Sequence, residues 1–102
     1  MPSYAFAPTA RAELRKIIAR IKADDPGAAE RWFTRLQQTC ETLAHARQIG
    51  RVRDDITPDL YLFPFGDYLI LYDHAADGIR IMHIVHGAQD VRRILAAPGG
   101  EG

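Results

Sequence analysis

The chain has 102 residues, 47% of them hydrophobic, and its 13 basic and 13 acidic side chains give a formal net charge of zero. A chain of this length supports one modest hydrophobic core, so residues 1–102 are predicted to form a single domain, ordered over about residues 3–97. The lone cysteine, Cys40, excludes an intrachain disulfide. No leader segment and no apolar run of about 18 residues indicates export or membrane insertion, so we expect a cytoplasmic protein.

Charge is divided unequally between the two halves of the chain. Residues 1–49 hold eight basic and five acidic side chains, whereas residues 50–102 hold five basic and eight acidic ones. Contacts to the phosphates of a nucleic acid need clustered Lys and Arg. The charge balance of the second half therefore disfavours a sheet that binds RNA unaided.

The first half predicts a short strand followed by a helix. Ser3–Ala7 is suited to add an edge strand to a sheet. Pro8 or Thr9 then opens the helix, because Pro fits the first helical turn and Thr can cap it. Apolar residues recur along this helix at a spacing of three or four: Ala10, Leu14, Ile17, Ile18 and Ile21.

A second helix is predicted to start directly after the first one. Asp25 is the expected N-cap and Pro26 the first helical residue, and the apolar pattern ends near His45. Its apolar stripe includes Trp32 and Cys40, so the thiol is expected to be a buried hydrophobe and not a nucleophile. The short connection predicts an antiparallel αα-hairpin whose two stripes pack on one face of a sheet.

The second half predicts three consecutive antiparallel strands and a short helix. Apolar runs rich in β-branched and aromatic residues are separated by Gly and Asp, which favour tight turns. The expected strands are Leu60–Phe65, Tyr68–Asp73 and Ile79–His86, with turns at Gly66–Asp67 and Asp77–Gly78, and the expected helix is Val91–Ala97. We therefore predict an α+β domain in which an N-terminal edge strand and the αα-hairpin pack on one face of a small antiparallel sheet.

Side-chain alternation indicates that this sheet is covered on both faces. In the second strand Tyr68 and Tyr72 share one face, while Leu69 and Leu71 share the other. In the third strand the alternation groups four side chains on one face: Ile79, Ile81, His83 and Val85. A solvated face would be regularly polar, and neither face is. The αα-hairpin covers one face, and something else is expected to cover part of the second.

Several short motifs occur in a recognisable order along the chain. They are Tyr4–Ala12, the helical hairpin broken at Pro26, Ile49-Gly50-Arg51 with Arg53-Asp54, Phe63-Pro64 before a Gly turn, Tyr68–Tyr72, and Ile81–Asp90 with His86-Gly87-Ala88. Together they resemble the ParE/RelE superfamily of type II toxin–antitoxin toxins over about residues 3–95. The ParE branch is the more similar one.

The resemblance implies a RelE/ParE-like fold and a bacterial cytoplasmic toxin. Such a toxin forms a hetero-oligomer with a ParD-like antitoxin, whose C-terminal segment wraps the toxin and neutralises it. ParE members act on DNA gyrase, whereas RelE members cleave mRNA on the ribosome. We therefore expect a protein that binds gyrase and traps its cleaved-DNA complex, with no catalytic residue, metal, cofactor or direct nucleic-acid contact of its own.

Two positions depart from the family pattern. ParE-like chains commonly carry Arg where this chain has His83 and Gln89. The loss of both cations weakens any mechanism that needs positive charge at these positions. It also weakens RelE-like cleavage, which several Lys and Arg support, because residues 50–102 contain no Lys.

Two groups of residues are predicted to contact partners. The C-terminal helix and the polar connector before the meander are the expected target-binding surfaces, through Arg92, Arg93, Gly50, Arg51 and Arg53. The second and third strands of the meander supply the expected antitoxin-binding residues: Tyr68, Tyr72, Arg80 and His83. For the two tyrosines, packing in the core is the alternative.

Two other functions stay open. A RelE-like mRNA endonuclease would use His to move a proton and Arg to hold a phosphate, and its candidates are His83, His86, Tyr72, Arg51, Arg53 and Arg80. In a regular strand His83 and His86 face opposite sides, so only one could serve a given site. The third possibility is an inactive relative that still binds an antitoxin.

Overall fold

The computed structural model describes residues 3–87 and 91–96 and has a helical hairpin packed on a five-stranded sheet. The elements are β1 (Ser3–Phe6), α1 (Pro8–Asp24), α2 (Pro26–His45), a 3₁₀ turn (Arg47–Ile49), β2 (Arg51–Val52), β3 (Tyr61–Phe65), β4 (Tyr68–Ala75), β5 (Gly78–His86) and α3 (Val91–Ala96). The predicted α+β class and the order of the predicted elements are confirmed, and the structure adds the 3₁₀ turn and β2 between the hairpin and the meander. The second hairpin turn lies at residues 76–77, one position earlier than predicted. None of the described helices is long and apolar enough to cross a bilayer.

The sheet is mixed, which corrects the prediction of an antiparallel sheet. Its strand order is β1-β5-β4-β3-β2, and β1 runs parallel to β5 while the other neighbouring strands are antiparallel. Parallel neighbours need a long crossover connection, which the helical hairpin and the first strands of the meander provide here. Gly78 permits the pairing, because a Cβ at this position would overlap the backbone of Ser3.

The two long helices begin in different ways. Pro8 is the first residue of α1, which confirms one of the two predicted starts. The N-cap is Ala7, which makes no side-chain hydrogen bond, so Thr9 does not cap the helix. Asp25 caps α2 as predicted. Its Oδ1 accepts hydrogen bonds from the amides of Gly27 (3.0 Å) and Ala28 (3.2 Å). The short break at Asp25 folds α2 back along α1, which brings the two apolar stripes together.

The main core lies between the hairpin and one face of the sheet, which we call the helix face. Its buried members from the helices are Ala10, Leu14, Ile17, Trp32, Leu36, Cys40, Leu43 and Ala44, and those from the strands are Ile70, Tyr72, Ile79, Ile81 and Ile84. Each fully buried large apolar side chain contributes about 1.5–3 kcal/mol. The predicted burial of the helical stripes, of Trp32 and of Cys40 is confirmed.

A β-bulge interrupts the pairing of β4 with β5. Leu71 pairs with His83, and the next residue, Tyr72, pairs with Ile81, so Met82 has no partner in β4. An extra residue in one strand shifts the alternation of its side chains by one position. Before the bulge the odd-numbered residues of β5 therefore face the helices, and after it the even-numbered residues do.

The bulge corrects the predicted grouping of β5 side chains. Ile79, Ile81 and Ile84 all pack in the core of the helix face, whereas Val85 packs on the opposite face. The predicted grouping of Ile79, Ile81, His83 and Val85 fails beyond Ile81. Nothing in the apolar pattern of β5 distinguishes a bulged strand from a regular one.

The opposite face of the sheet, which we call the second face, has a smaller core. Leu60, Leu62, Leu71 and Val85 are buried there, and the chain covers them with residues from the segment before β3 and from α3: Ile56, Val91 and Leu95. Much of the expected second cover is thus supplied by the protein itself. Within the described ranges, the exposed large hydrophobic side chains are Ile49 at 46% and Val52 at 49% exposure.

Candidate partner-binding surfaces

A cleft of about 460 Å³ opens beside the edge strand β2. We call it the β2 cleft, and it is lined by Ile49, Arg51, Arg53, Leu62, Phe63, Pro64 and Leu69. Arg51 pairs with Leu62, and paired residues of neighbouring strands point to the same face, so its side chain lies on the second face. Arg51 and Arg53 thus line the same cleft, next to apolar surface.

Only one of the two arginines of the β2 cleft is paired with a carboxylate within the described ranges. The guanidinium of Arg53 donates two hydrogen bonds of 2.9 Å to the carboxylate of Asp55, which raise the pKa of the arginine. Arg51 makes no ion pair within the described ranges. The charge of Arg53 is thus compensated by Asp55, while that of Arg51 is available to an acidic partner.

Gly50 and Tyr72 belong to a buried hydrogen-bonded junction and do not line a surface. The amide of Gly50 donates to the hydroxyl of Tyr72 (3.0 Å), which in turn donates to the carbonyl of Arg47 (2.8 Å). Tyr72 is 0% exposed, and burial raises its pKa while the Gly50 N–H partly opposes the shift. The predictions that Gly50 contacts a target and that Tyr72 contacts an antitoxin or RNA are therefore corrected.

Arg47, which sequence analysis missed, holds this junction to the β4–β5 turn. Its guanidinium donates to the carbonyl of Ala75 at 2.9 Å and lies 3.4 Å from the carbonyl of Gly78. The connector before β2 is thereby fixed to a turn 28 residues later in the chain. No local sequence signal could have revealed this contact, because Arg47 follows a helix end where a solvated cation is ordinary.

The predicted antitoxin-binding residues do not form one patch. Arg80 is bound to Asp73 (2.9 Å), whose carboxylate raises the pKa of the arginine, near the β4–β5 turn. Tyr68 pairs with His86 at the other end of the same hairpin, five positions along β4 from Asp73. At about 3.3 Å per residue the two pairs are roughly 17 Å apart.

His83 contacts α1, an arrangement that sequence analysis did not predict. Its Nδ1 lies 3.1 Å from Oε2 of Glu13, and the other carboxylate oxygen of Glu13 accepts a hydrogen bond from the amide of Ile84 at 2.9 Å. β1 pairs with β5 only as far as Ile81. Glu13 therefore occupies the β5 edge where β1 ends, and the His83 side chain, 14% exposed, is mostly covered.

A groove runs along α1 on the helix side of the molecule. It consists of two clefts, of about 200 and 350 Å³, that meet at Tyr68. We call it the α1 groove and define it by Lys16, Ile17, Arg20, Ile21, Arg35 and Tyr68. Its floor is aromatic. The ring of Tyr68 forms T-shaped pairs with the rings of Trp32 and His86, and the ring centroids are 5.6 Å apart in each pair.

The six candidates for a nuclease site are not brought together. β2, which contains Arg51 and ends just before Arg53, is separated from β5 by two strands, which is about 14 Å at 4.8 Å per strand. His83 contacts Glu13, whereas His86 contacts Tyr68. Tyr72 is buried and Arg80 is paired with Asp73. This arrangement offers no shared position at which a general base and a phosphate-binding cation act on one RNA linkage.

The C-terminal helix is the last of the predicted target-binding surfaces. α3 packs on the second face through Val91 and Leu95, and Arg93 is exposed on it. The side chain of Arg92, and Gln89 altogether, lie outside the described residues. α3 and the β2 cleft are thus on the same face of the sheet.

Comparisons with known proteins agree with the fold. A family model described as "ParE toxin of type II toxin-antitoxin system, parDE" matches residues 4–91. No curated protein matches. A solved structure described as "Chromosomal ParDE TA system from P. aeruginosa" has a TM-score of 0.69 at 17% identity, covering 84% of this chain and 96% of that chain. At this identity the likeness shows the fold alone, and it confirms the predicted RelE/ParE-like architecture.

Proposed function

Because the chain belongs to the family of ParE toxins of type II toxin–antitoxin systems, we propose that it arrests growth by binding DNA gyrase and holding it on cleaved DNA. A ParD-like antitoxin neutralises it in a cytoplasmic hetero-oligomer. The family match over residues 4–91, which includes both long helices and, apart from Ser3, all five strands, is the observation that carries this proposal.

Binding without catalysis is supported by what the candidate nuclease residues do in the fold. Tyr72 is part of a buried junction, and His83 is bound to Glu13. The Arg80 and Arg53 side chains are each engaged by a carboxylate. Residues held in structural contacts are poorly placed to transfer protons or bind phosphate. In this mechanism the DNA is cut by gyrase itself, and the toxin stabilises the cut state.

The second face is the proposed docking site for gyrase. It carries Arg51 and the exposed Ile49 in the β2 cleft and Arg93 on α3, a combination of exposed cations and apolar surface. Interfaces of this kind are commonly anchored by Arg beside apolar side chains. Arg92, which precedes Arg93 in α3, is included in the proposal.

The test uses the full chain, purified free of antitoxin and added to gyrase with supercoiled and relaxed plasmid. We expect loss of supercoiling, accumulation of cleaved DNA, and reversal by the antitoxin. Arg51→Glu should weaken the effect about tenfold or more, while Arg15→Glu, an identical charge change on α1, should leave it unchanged.

Other outcomes would identify a different function. If folded protein leaves gyrase unaffected but cleaves mRNA in a translating extract, and His83→Ala or His86→Ala abolishes that cleavage, the chain is a RelE-like endonuclease. If it binds the antitoxin tightly and causes no growth arrest, it is an inactive relative. Either result overturns the gyrase proposal.

A further inference from the structure

The outer edge of β2 is open. β2 is the last strand in the order of the sheet, and within residues 3–87 and 91–96 no strand pairs with its far side. Arg51 is paired with Leu62. The amide of Arg53 donates to the carbonyl of Leu60 at 2.8 Å. Backbone groups alternate in direction along an antiparallel strand, so the N–H and C=O of Val52, between the two arginines, point away from β3 and are available to a further strand.

β2 ends beside a notch in the edge of the sheet. The backbone groups of Leu62 face β2, and those of Pro64 point the same way two residues later, where β2 no longer extends. Proline has no N–H, so β3 offers no donor at this position and a strand that pairs with Val52 cannot continue along it. The notch belongs to the β2 cleft, and its apolar wall can receive a side chain there: Ile49, Leu62, Phe63, Pro64 and Leu69.

The charge at this edge favours an acidic partner. Arg51 is exposed and makes no ion pair within the described residues. The carboxylates that follow it in the sequence are already engaged. Asp55 binds Arg53, and Asp54 accepts a hydrogen bond from the amide of Asp59 at 2.9 Å. The charge of Arg51 is thus left for a carboxylate on another chain.

We propose that an extended segment of gyrase adds to β2 as a further β-strand, an inference that rests on the proposed function. Its backbone exchanges two hydrogen bonds with Val52. An acidic side chain lies beside Arg51, and an apolar side chain enters the β2 cleft. Because β2 has only two residues, the backbone pairing is short, and the two side chains provide the selectivity.

A second copy of the chain does not fit this edge. Two copies would pair their β2 strands antiparallel about a two-fold axis. With Val52 opposite itself, Arg51 lies opposite Arg53. A shift of two residues in either direction places one of the two arginines opposite itself. Like charges directly opposite each other destabilise a strand pair, so the added strand comes from a different protein.

The first experiment measures the affinity of the full chain, purified free of antitoxin, for immobilised gyrase bound to DNA. The test variant is Val52→Pro, which removes the outward N–H at a type of edge position that accepts proline. The matched control is Val52→Ala, which shortens the side chain further but keeps the N–H. Proline should weaken binding about tenfold or more and alanine less than about threefold, with melting temperatures close to that of the wild type. Equal losses in the two folded variants would overturn the proposal.

A second pair of variants tests the cleft without altering the backbone of β2. Ile49→Glu places a carboxylate where the apolar side chain of the partner is expected. Gln48→Glu makes the same charge change at the adjacent exposed position. Ile49→Glu should weaken gyrase binding about tenfold or more, and Gln48→Glu less than about threefold. Undiminished binding by Ile49→Glu would overturn the proposal.

Hydrogen exchange of the wild type tests the added strand directly. The Val52 amide should exchange fast in the free chain and at least about tenfold more slowly in the complex with gyrase, because it becomes hydrogen-bonded. Unchanged exchange in a complex that is demonstrably formed would overturn the proposal. So would slower exchange that the antitoxin causes and gyrase does not.

The outcomes separate this proposal from the function on which it rests. If the wild type traps gyrase on cleaved DNA and Val52→Pro does so equally well, the added strand is wrong and the gyrase function stands. If the folded wild type neither binds nor inhibits gyrase, the proposed function fails, and the added strand fails with it.

Discussion

At the scale of single residues, the hydroxyl of Tyr72 determines where the connector before β2 lies. It accepts a hydrogen bond from the buried Gly50 amide and donates one, part-buried, to the carbonyl of Arg47. Its sequence environment, an aromatic residue among strand formers, indicates a buried ring but not the partners of its hydroxyl. The contact explains why Gly50 is needed, because a Cβ there would lie 2.9 Å from Cζ of the tyrosine ring.

Tyr72→Phe tests this junction. Removing the hydroxyl leaves the Gly50 N–H and the Arg47 carbonyl without their partner, so the free energy of unfolding should fall by about 1–3 kcal/mol. Tyr61→Phe is the control, since the hydroxyl of this partly exposed residue makes no hydrogen bond within the described ranges. Urea unfolding of both variants provides the measurement. Similar stabilities for the two would mean that water replaces the junction at little cost.

At the scale of elements, β5 depends on α1 for its open edge. β1 is too short to cover β5 beyond Ile81, and unpaired strand edges invite pairing with other chains. Glu13 covers the exposed stretch by accepting from the Ile84 amide and contacting His83. A helix residue thus completes the sheet, which places a charged side chain where a further strand would otherwise add.

Glu13→Ala and Glu13→Gln separate the two contacts. The alanine variant leaves the Ile84 amide unpaired, so it should lose about 1–3 kcal/mol of stability, and this amide should exchange its hydrogen faster. The glutamine variant keeps an acceptor oxygen for the amide and should protect it largely as the wild type does. The measurement is hydrogen exchange of the Ile84 amide. Equal protection in all three proteins would show that Glu13 does not protect the open edge of β5.

Local patterns predicted the elements because their signals are local. The 3.6-residue periodicity, the Asp25-Pro26 start and the Gly and Asp turns each act within a few residues of their own position. Three other features depend on residues that are not neighbours in the sequence: the bulge at Met82, the parallel pairing of β1 and the contact of Glu13 with His83. Glu13 and His83 are 70 positions apart. The same limit applies to the candidate sites. The sequence shows which charged residues are present, but it does not show which residues they contact in the fold.

At the scale of the whole molecule, the sheet joins two cores of unequal size. The hairpin core on the helix face and the smaller core on the second face both pack on β4 and β5. Loss of either strand would open both cores, so the chain is expected to unfold as one cooperative unit. The proposed gyrase surface, formed by the β2 cleft and α3, lies on the second face of this unit, while the α1 groove lies along the hairpin.

Cys40 tests whether this unit excludes water from its main core. Burial raises the pKa of the thiol from 9.0 to about 12. Between these values the unfolded chain releases the thiol proton while the folded chain keeps it, so stability is full below pH 9 and falls as the pH rises towards 12. Between pH 8 and pH 10 the wild type should lose about 1 kcal/mol more stability in urea unfolding than Cys40→Ala, which has no thiol to ionise. The raised pKa of Tyr72 does not depend on Cys40, so its effect is the same in both proteins and cancels in the comparison. Parallel losses in the two proteins would mean that the thiol ionises as readily in the folded state as in the unfolded one, and that the core admits water at its centre.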